Sequence, residues 1–236
     1  MIVAEAFRPG TFLDAFRFIG DHPVFLLQKA GEQLELSGAA LGIALALALP
    51  LGIALGHLRR GANLAIGASI VGRALPSLVL IGVFLTVLGI GFVNNMVALA
   101  VLAAGPLLTN GYQAVAGVDP DVVEAARGMG MSPRQILRRV ELPLALPLLF
   151  AGIRIAAVTV VATAPIAAVA GGGGLGDVIV NQASYRLEGV LGASLCVMAL
   201  SALVYGVLVA LERALTPRGL RDREPETAEA AVPAVA

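Results

Sequence analysis

The one stretch of this chain whose residues are arranged for specific polar contact is 119–143, Asp-Pro-Asp-Val-Val-Glu-Ala-Ala-Arg-Gly-Met-Gly-Met-Ser-Pro-Arg-Gln-Ile-Leu-Arg-Arg-Val-Glu-Leu-Pro. Asp119 before Pro120 is a helix start, a side-chain acceptor at the cap followed by a proline whose missing N–H costs nothing in the first turn. Asp121 and Glu124 place negative charge at the positive end of that helix. Ala125 and Ala126 are strong helix formers with almost no side chain, so their face lets another surface come close. Gly130 suits the left-handed residue that ends a helix. Ser132-Pro133-Arg134-Gln135 then starts a second one as a capping box, with Arg138 and Arg139 in its last turns. Leu142 and Pro143 close the unit. Two short helices at an angle, joined by a glycine, make a compact knob. Its chemistry is recognition by another surface.

Bond-making chemistry has no comparable set of residues. His22 and His57 are expected on opposite sides of a membrane, so they cannot share a proton or a metal. Cys196 is the sole cysteine and lies in an apolar run, which rules out a disulfide framework and a paired-thiol metal site. The run Gly171–Gly174 lacks the lysine and the strand–turn–helix setting of a phosphate loop. No nucleotide motif is present, so this chain is not expected to be an enzyme or to need a cofactor. With a formal net charge of zero and no dense basic cluster, it is not read as a nucleic-acid binder.

The elements that hold the knob are apolar. Of 236 residues, 58% are hydrophobic and only 14% charged. Soluble domains carry roughly a quarter of charged residues. Segments 36–56, 74–118, 155–176 and 189–211 contain no Asp, Glu, Lys or Arg. A spanning helix needs about 20 apolar residues, so three segments fit one helix each. The longest, 74–118, fits two, broken near Gly89-Ile90-Gly91-Phe92-Val93-Asn94-Asn95. The reading is an all-α integral membrane protein with about five transmembrane helices, near 34–57, 64–88, 93–112, 144–170 and 189–211.

Positive charge orients them. One side receives Arg59, Arg60, Arg127, Arg134, Arg138, Arg139, Arg213, Arg218, Arg221 and Arg223, which is ten. The other receives Arg8, Arg17, Lys29 and Arg186, which is four. The N-terminus is therefore expected outside, with the C-terminus and the 119–143 loop in the cytoplasm. Residues 1–33 lack a signal peptide's pattern and read as an extracytoplasmic amphipathic segment, with Phe12, Leu13, Phe16 and Ile19 at a loose helical period. Residues 212–236 read as a cytoplasmic, partly disordered tail.

Glu124-Ala125-Ala126, Gly130, Val140 and Leu142-Pro143 follow a pattern that resembles the EAA loop of permease subunits of binding-protein-dependent ABC importers. Val140 stands where that family usually has Ile. The resemblance implies a type I importer permease domain over 34–211, set in the inner (cytoplasmic) membrane as a multi-pass subunit. It also implies three partners: an ATP-binding subunit that meets the knob, an extracytoplasmic solute-binding protein, and a second permease copy, identical or paralogous. Residues 118–154, Leu75-Pro76-Ser77-Leu78, Gly171 through Asp177 and Thr216-Pro217-Arg218-Gly219 further resemble the quaternary-amine branch, which imports glycine betaine, choline, carnitine and related osmoprotectants. Arg73 departs from that branch, where Gln is common, and is similar to the methionine branch. A methionine permease stays open as an alternative, as does a small channel or membrane scaffold outside the class.

Arg73 and Arg154 are the charges set deepest in apolar sequence. Either is a pathway candidate, or snorkels to the cytoplasmic headgroups. Pro50, Pro76, Pro106, Pro147 and Pro165 mark kinks that serve packing or hinge a gate. Gly38, Gly42, Gly52 and Gly56 offer small faces for helix packing. Gly171 and Gly172, with Arg73 and Pro76, are candidates for the pathway or its gate, in a turn read as flexible.

Overall fold

The computed structural model describes residues 9–63, 65, 67, 70 and 76–215. Helix α1 runs Pro9–Asp21, α2 Pro23–His57, α3 Ser77–Leu88, α4 Phe92–Ala116, α5 Pro120–Gly128 and α6 Pro133–Ile136. After a widened turn at Leu137–Glu141 come α7, Leu142–Thr163, and a tight 3-10 turn at Ala164–Ala170. Helices α8, Gly176–Val180, and α9, Gln182–Leu215, follow. Among the described residues, four helical segments are long and apolar enough to cross a membrane: Pro23–His57, Phe92–Ala116, Pro133–Ala170 and Gln182–Leu215. Helix α3 is a shorter apolar one.

Helix α2 exceeds its expected start near residue 34, beginning at Pro23. The charges that suggest a boundary do not break it, because Lys29 and Glu32 pair with one another, as residues one turn apart on a helix can. Helix α1 turns Ala15, Phe18 and Ile19 inward, where they close over Gly189 and Gly192 of α9. Phe12, Leu13 and Phe16 point away from the protein.

Every fourth residue of α2 from Leu36 (Ala40, Ala44, Ala48, Gly52, Gly56) is buried. This ridge of small side chains is what lets α4 lie close along it. A Cβ on Gly56 would sit 2.7 Å from the Tyr112 carbonyl oxygen, and one on Gly111 would sit 3.2 Å from that of Leu49. Gly38 and Gly42 lie off the ridge, where a Cβ would meet nothing among the described residues. The core follows from the ridge: α2, α4 and α7 enclose Leu99, Ala103, Leu107, Ala156 and Val160, with Leu80 and Ile81 of α3 at its flank. A second cluster, around Val161, Leu175, Val178, Ala193 and Val197, joins α7, α8 and α9.

The prolines act at different places. Pro50, Pro106 and Pro147 lie within helices, while Pro76 stands at the start of α3 and Pro165 in the first turn of the 3-10 segment. Pro143, expected to end the polar unit and begin the climb into the fourth span, stands in the first turn of α7. A proline lacks an N–H and presses on the carbonyl four residues back. Here the Leu142 N–H reaches the Leu137 carbonyl, five residues back. This widened turn absorbs the misfit, so that helix runs on from Pro133 to Ala170.

Candidate functional site

The 119–143 unit is built from its caps. Asp119 accepts the Asp121 N–H at 2.9 Å, which fixes where α5 begins. At the other end the Met131 N–H reaches the Ala126 carbonyl at 3.2 Å and the Gly130 N–H reaches that of Arg127 at 3.0 Å. Gly130 itself has φ 83°. This is the double closure that a left-handed glycine permits. The Gln135 side chain then accepts the Ser132 N–H at 2.8 Å and starts α6 as half of a capping box.

The two alanines part company. Ala126 is 2% exposed and packs with Val123, Ile136 and Met131 onto Ala114, Val115 and Val118 at the end of α4, and onto Ala145 and Leu149 of α7. Leu142 belongs to the same cluster, and Pro143 is half-buried beside it. These three therefore hold the unit to its own chain. Glu124, Ala125 and Gly130 are exposed. Val122 and Met129 join them, Met129 at 71% exposure, and were missed in the sequence. Helical spacing held the signal: 122, 125 and 129 share one face of the turn, while 123 and 126 share another. The free face thus carries two apolar side chains, a carboxylate and a near-bare alanine. That combination suits recognition.

Two polar ties link the unit and its flank to the end of α2 and the residues after it. Glu141, in the widened turn and 3% exposed, meets the His57 Nδ1 at the end of α2. Arg59 Nη2 donates to the Val118 carbonyl at 3.1 Å. Neither tie was legible in the sequence, since the His57–Glu141 partners stand 84 residues apart.

Of the pathway candidates, Arg73 lies outside the described residues. Pro76 is exposed at the start of α3. Gly171 and Gly172 lie at the opposite end of the molecule from the polar unit. Their turn, expected to be flexible, is tied down: the Ala170 carbonyl accepts the Gly91 N–H and Asn95 Nδ2, each at 3.1 Å, and Glu32 Oε2 accepts the Gly174 N–H at 3.0 Å. Gly171, Gly173 and Gly174 have φ 71°, 72° and 77°. Side chains rarely take that path. Arg154 has partners within the chain. Its guanidinium lies 2.9 Å from Glu212 Oε2 of α9 and 5.5 Å from the centre of the Tyr205 ring, within reach of a cation–π attraction.

A bundle of membrane-length helices, with a capped polar knob braced at one end and a glycine turn clamped at the other, defines a polytopic membrane subunit. Residues 48–217 match the family of binding-protein-dependent transport system inner membrane components, and the chain belongs to that family. It is therefore a multi-pass inner-membrane permease of the ABC importer class. It is 38% identical over 197 residues to a glycine betaine/carnitine/choline transport system permease of Bacillus subtilis (strain 168), covering 83% of this chain and 91% of the relative. A carnitine transport permease of Listeria monocytogenes is 39% identical over 190 residues, covering 80% and 86%. Among solved structures, an inward-facing MetNI methionine ABC transporter aligns with a TM-score of 0.71 at 25% identity, covering 81% of this chain and 96% of that one.

Proposed function

We propose that this chain forms the translocation pathway for a quaternary-amine osmoprotectant of the glycine betaine, choline or carnitine type, and that its 119–143 unit couples the pathway to a separate ATPase. The observation that carries the coupling role is the knob itself. Its first helix is capped at both ends and it is packed against α2, α4 and α7, yet it leaves Val122, Glu124, Ala125 and Met129 exposed. A push on that face reaches three spanning helices through rigid contacts. Two such permeases, identical or paralogous, enclose one pathway, and a solute-binding protein delivers cargo on the outer side. The substrate reading rests on the relatives at 38% and 39% identity. The structural likeness to a methionine transporter supports methionine as the second reading.

Calorimetry on the cognate solute-binding protein separates them. Binding of glycine betaine, choline or carnitine, with none of methionine, is the expected result. Methionine binding without response to any quaternary amine reverses it. The chain contains no tryptophan, so a tryptophan cage for the quaternary ammonium group belongs to the binding protein.

The orientation follows from the ten-to-four distribution of basic residues, with the knob and C-terminus inside. Ser132 and Ser184, both exposed, test it as single cysteines in a Cys196→Ala background. A membrane-impermeant thiol reagent is expected to label only the Ser184→Cys site in intact cells. Labelling at Ser132→Cys inverts the assignment.

A further inference from the structure

At the end remote from the knob, Lys29 of α2 reaches α8. Its Nζ lies 2.7 Å from Asp177 Oδ2 and 2.9 Å from Glu32 Oε2, with 19% of the side chain exposed. Beside this pair is a cavity of about 390 Å³ lined by Lys29, Ala168, Asp177, Val180, Asn181 and Tyr185. The Tyr185 ring is held by Phe25, stacked at 5.7 Å, and by Phe18, edge-on at 6.5 Å. One small cavity thus presents an ammonium, a carboxylate, a carboxamide and a fixed aromatic ring.

We propose that this cavity is a transient site for a zwitterionic substrate, which enters by exchanging its own two charges for the Lys29–Asp177 pair. The proposal rests on the substrate reading above and narrows it to solutes that carry both a carboxylate and a quaternary ammonium. Lys29 takes the substrate carboxylate, while Asp177 and the Tyr185 face take the trimethylammonium group. An ion pair is complementary to a zwitterion, because each pole of the ligand replaces the partner that the protein group gives up. A simple cation offers Asp177 a partner but leaves the Lys29 ammonium, held by Glu32 alone, beside a second positive charge. The site therefore favours glycine betaine and carnitine over choline.

The exchange also has a mechanical consequence. Lys29–Asp177 fastens α8 to α2, and Glu32 holds the adjoining Gly174. Opening the pair removes one tie at the outer mouth as substrate arrives and leaves the Gly171–Gly174 turn on its bonds to Glu32 and from the Ala170 carbonyl. Closing it behind the departing substrate reseals the mouth.

The test compares uptake of glycine betaine and choline by the complete importer in membrane vesicles. Lys29→Met is expected to raise the KM for glycine betaine about tenfold, the loss of one charge-assisted hydrogen bond, and to lower the KM for choline, which then no longer faces a second positive charge. Lys29→Arg is expected to restore wild-type behaviour. Equal changes for both solutes with Lys29→Met would show a purely structural tie and overturn the site. Asn181→Cys in a Cys196→Ala background gives a readout with Lys29 and Asp177 intact. Glycine betaine is expected to protect this thiol more than choline does, and equal protection or none overturns the proposal. Wild-type vesicles that import neither solute overturn the substrate reading together with the site, an outcome distinct from failure of the variants alone.

Discussion

Gly130→Pro is expected to abolish ATP-driven uptake while the chain still inserts in the membrane. Proline fixes φ at about −65°. Gly130 instead sits at φ 83° and donates its N–H to the Arg127 carbonyl. Both the angle and the bond are lost, a local penalty of about 3 kcal/mol or more. The end of α5 then unwinds and carries Met129 out of register with Glu124 and Ala125. Uptake is expected to fall at least tenfold, and the ATPase is expected to dissociate during detergent purification. Nothing crowds the Gly130 position within 4 Å. Gly130→Ala therefore isolates the backbone effect, with an expected penalty of about 1 kcal/mol and partial activity. Normal uptake by Gly130→Pro removes the knob from the coupling path.

The second large effect is at Glu141. Glu141→Ala leaves His57 without its partner at the junction of α2 with the knob. Breaking such a pair is expected to cost about 2–3 kcal/mol, below the figure for a fully buried pair because His57 keeps some solvent. The apparent melting temperature of the purified complex is expected to fall by about 5 °C. Uptake should fall further than ATP hydrolysis, because the brace transmits motion and makes no contact with nucleotide. The double variant His57→Ala/Glu141→Ala decides whether the two act as a pair. A coupling energy of about 1–3 kcal/mol is expected, and strict additivity excludes the brace.

What could be read from the sequence was what neighbouring residues decide. Asp119-Pro120, Gly130 and Ser132-Pro133 announce their caps within three or four positions, and each is found in that role. Charge-free runs point to the helices, since a bilayer leaves a backbone few alternatives. The failures nearly all have distant partners. Lys29 meets Asp177 across 148 positions, so from sequence the start of α2 looks too charged to continue the helix. The partner of Arg154, Glu212, likewise stands on another helix. Ala125 and Ala126 are chemically alike, and only the placement of α4 and α7 beneath one of them separates exposed face from core. The widened turn before Pro143 has no signature in composition.

On the proposed function, this permease converts ATP hydrolysis by a partner, through the 119–143 unit, into import of a quaternary-amine solute. The most direct test is reconstitution of this chain with the cognate ATPase and binding protein in liposomes, followed by measurement of labelled glycine betaine uptake. Uptake is expected only when ATP and binding protein are both present, and is expected to disappear with Gly130→Pro. Uptake of glycine betaine that persists without ATP or without the binding protein, or methionine uptake in its place, contradicts the account.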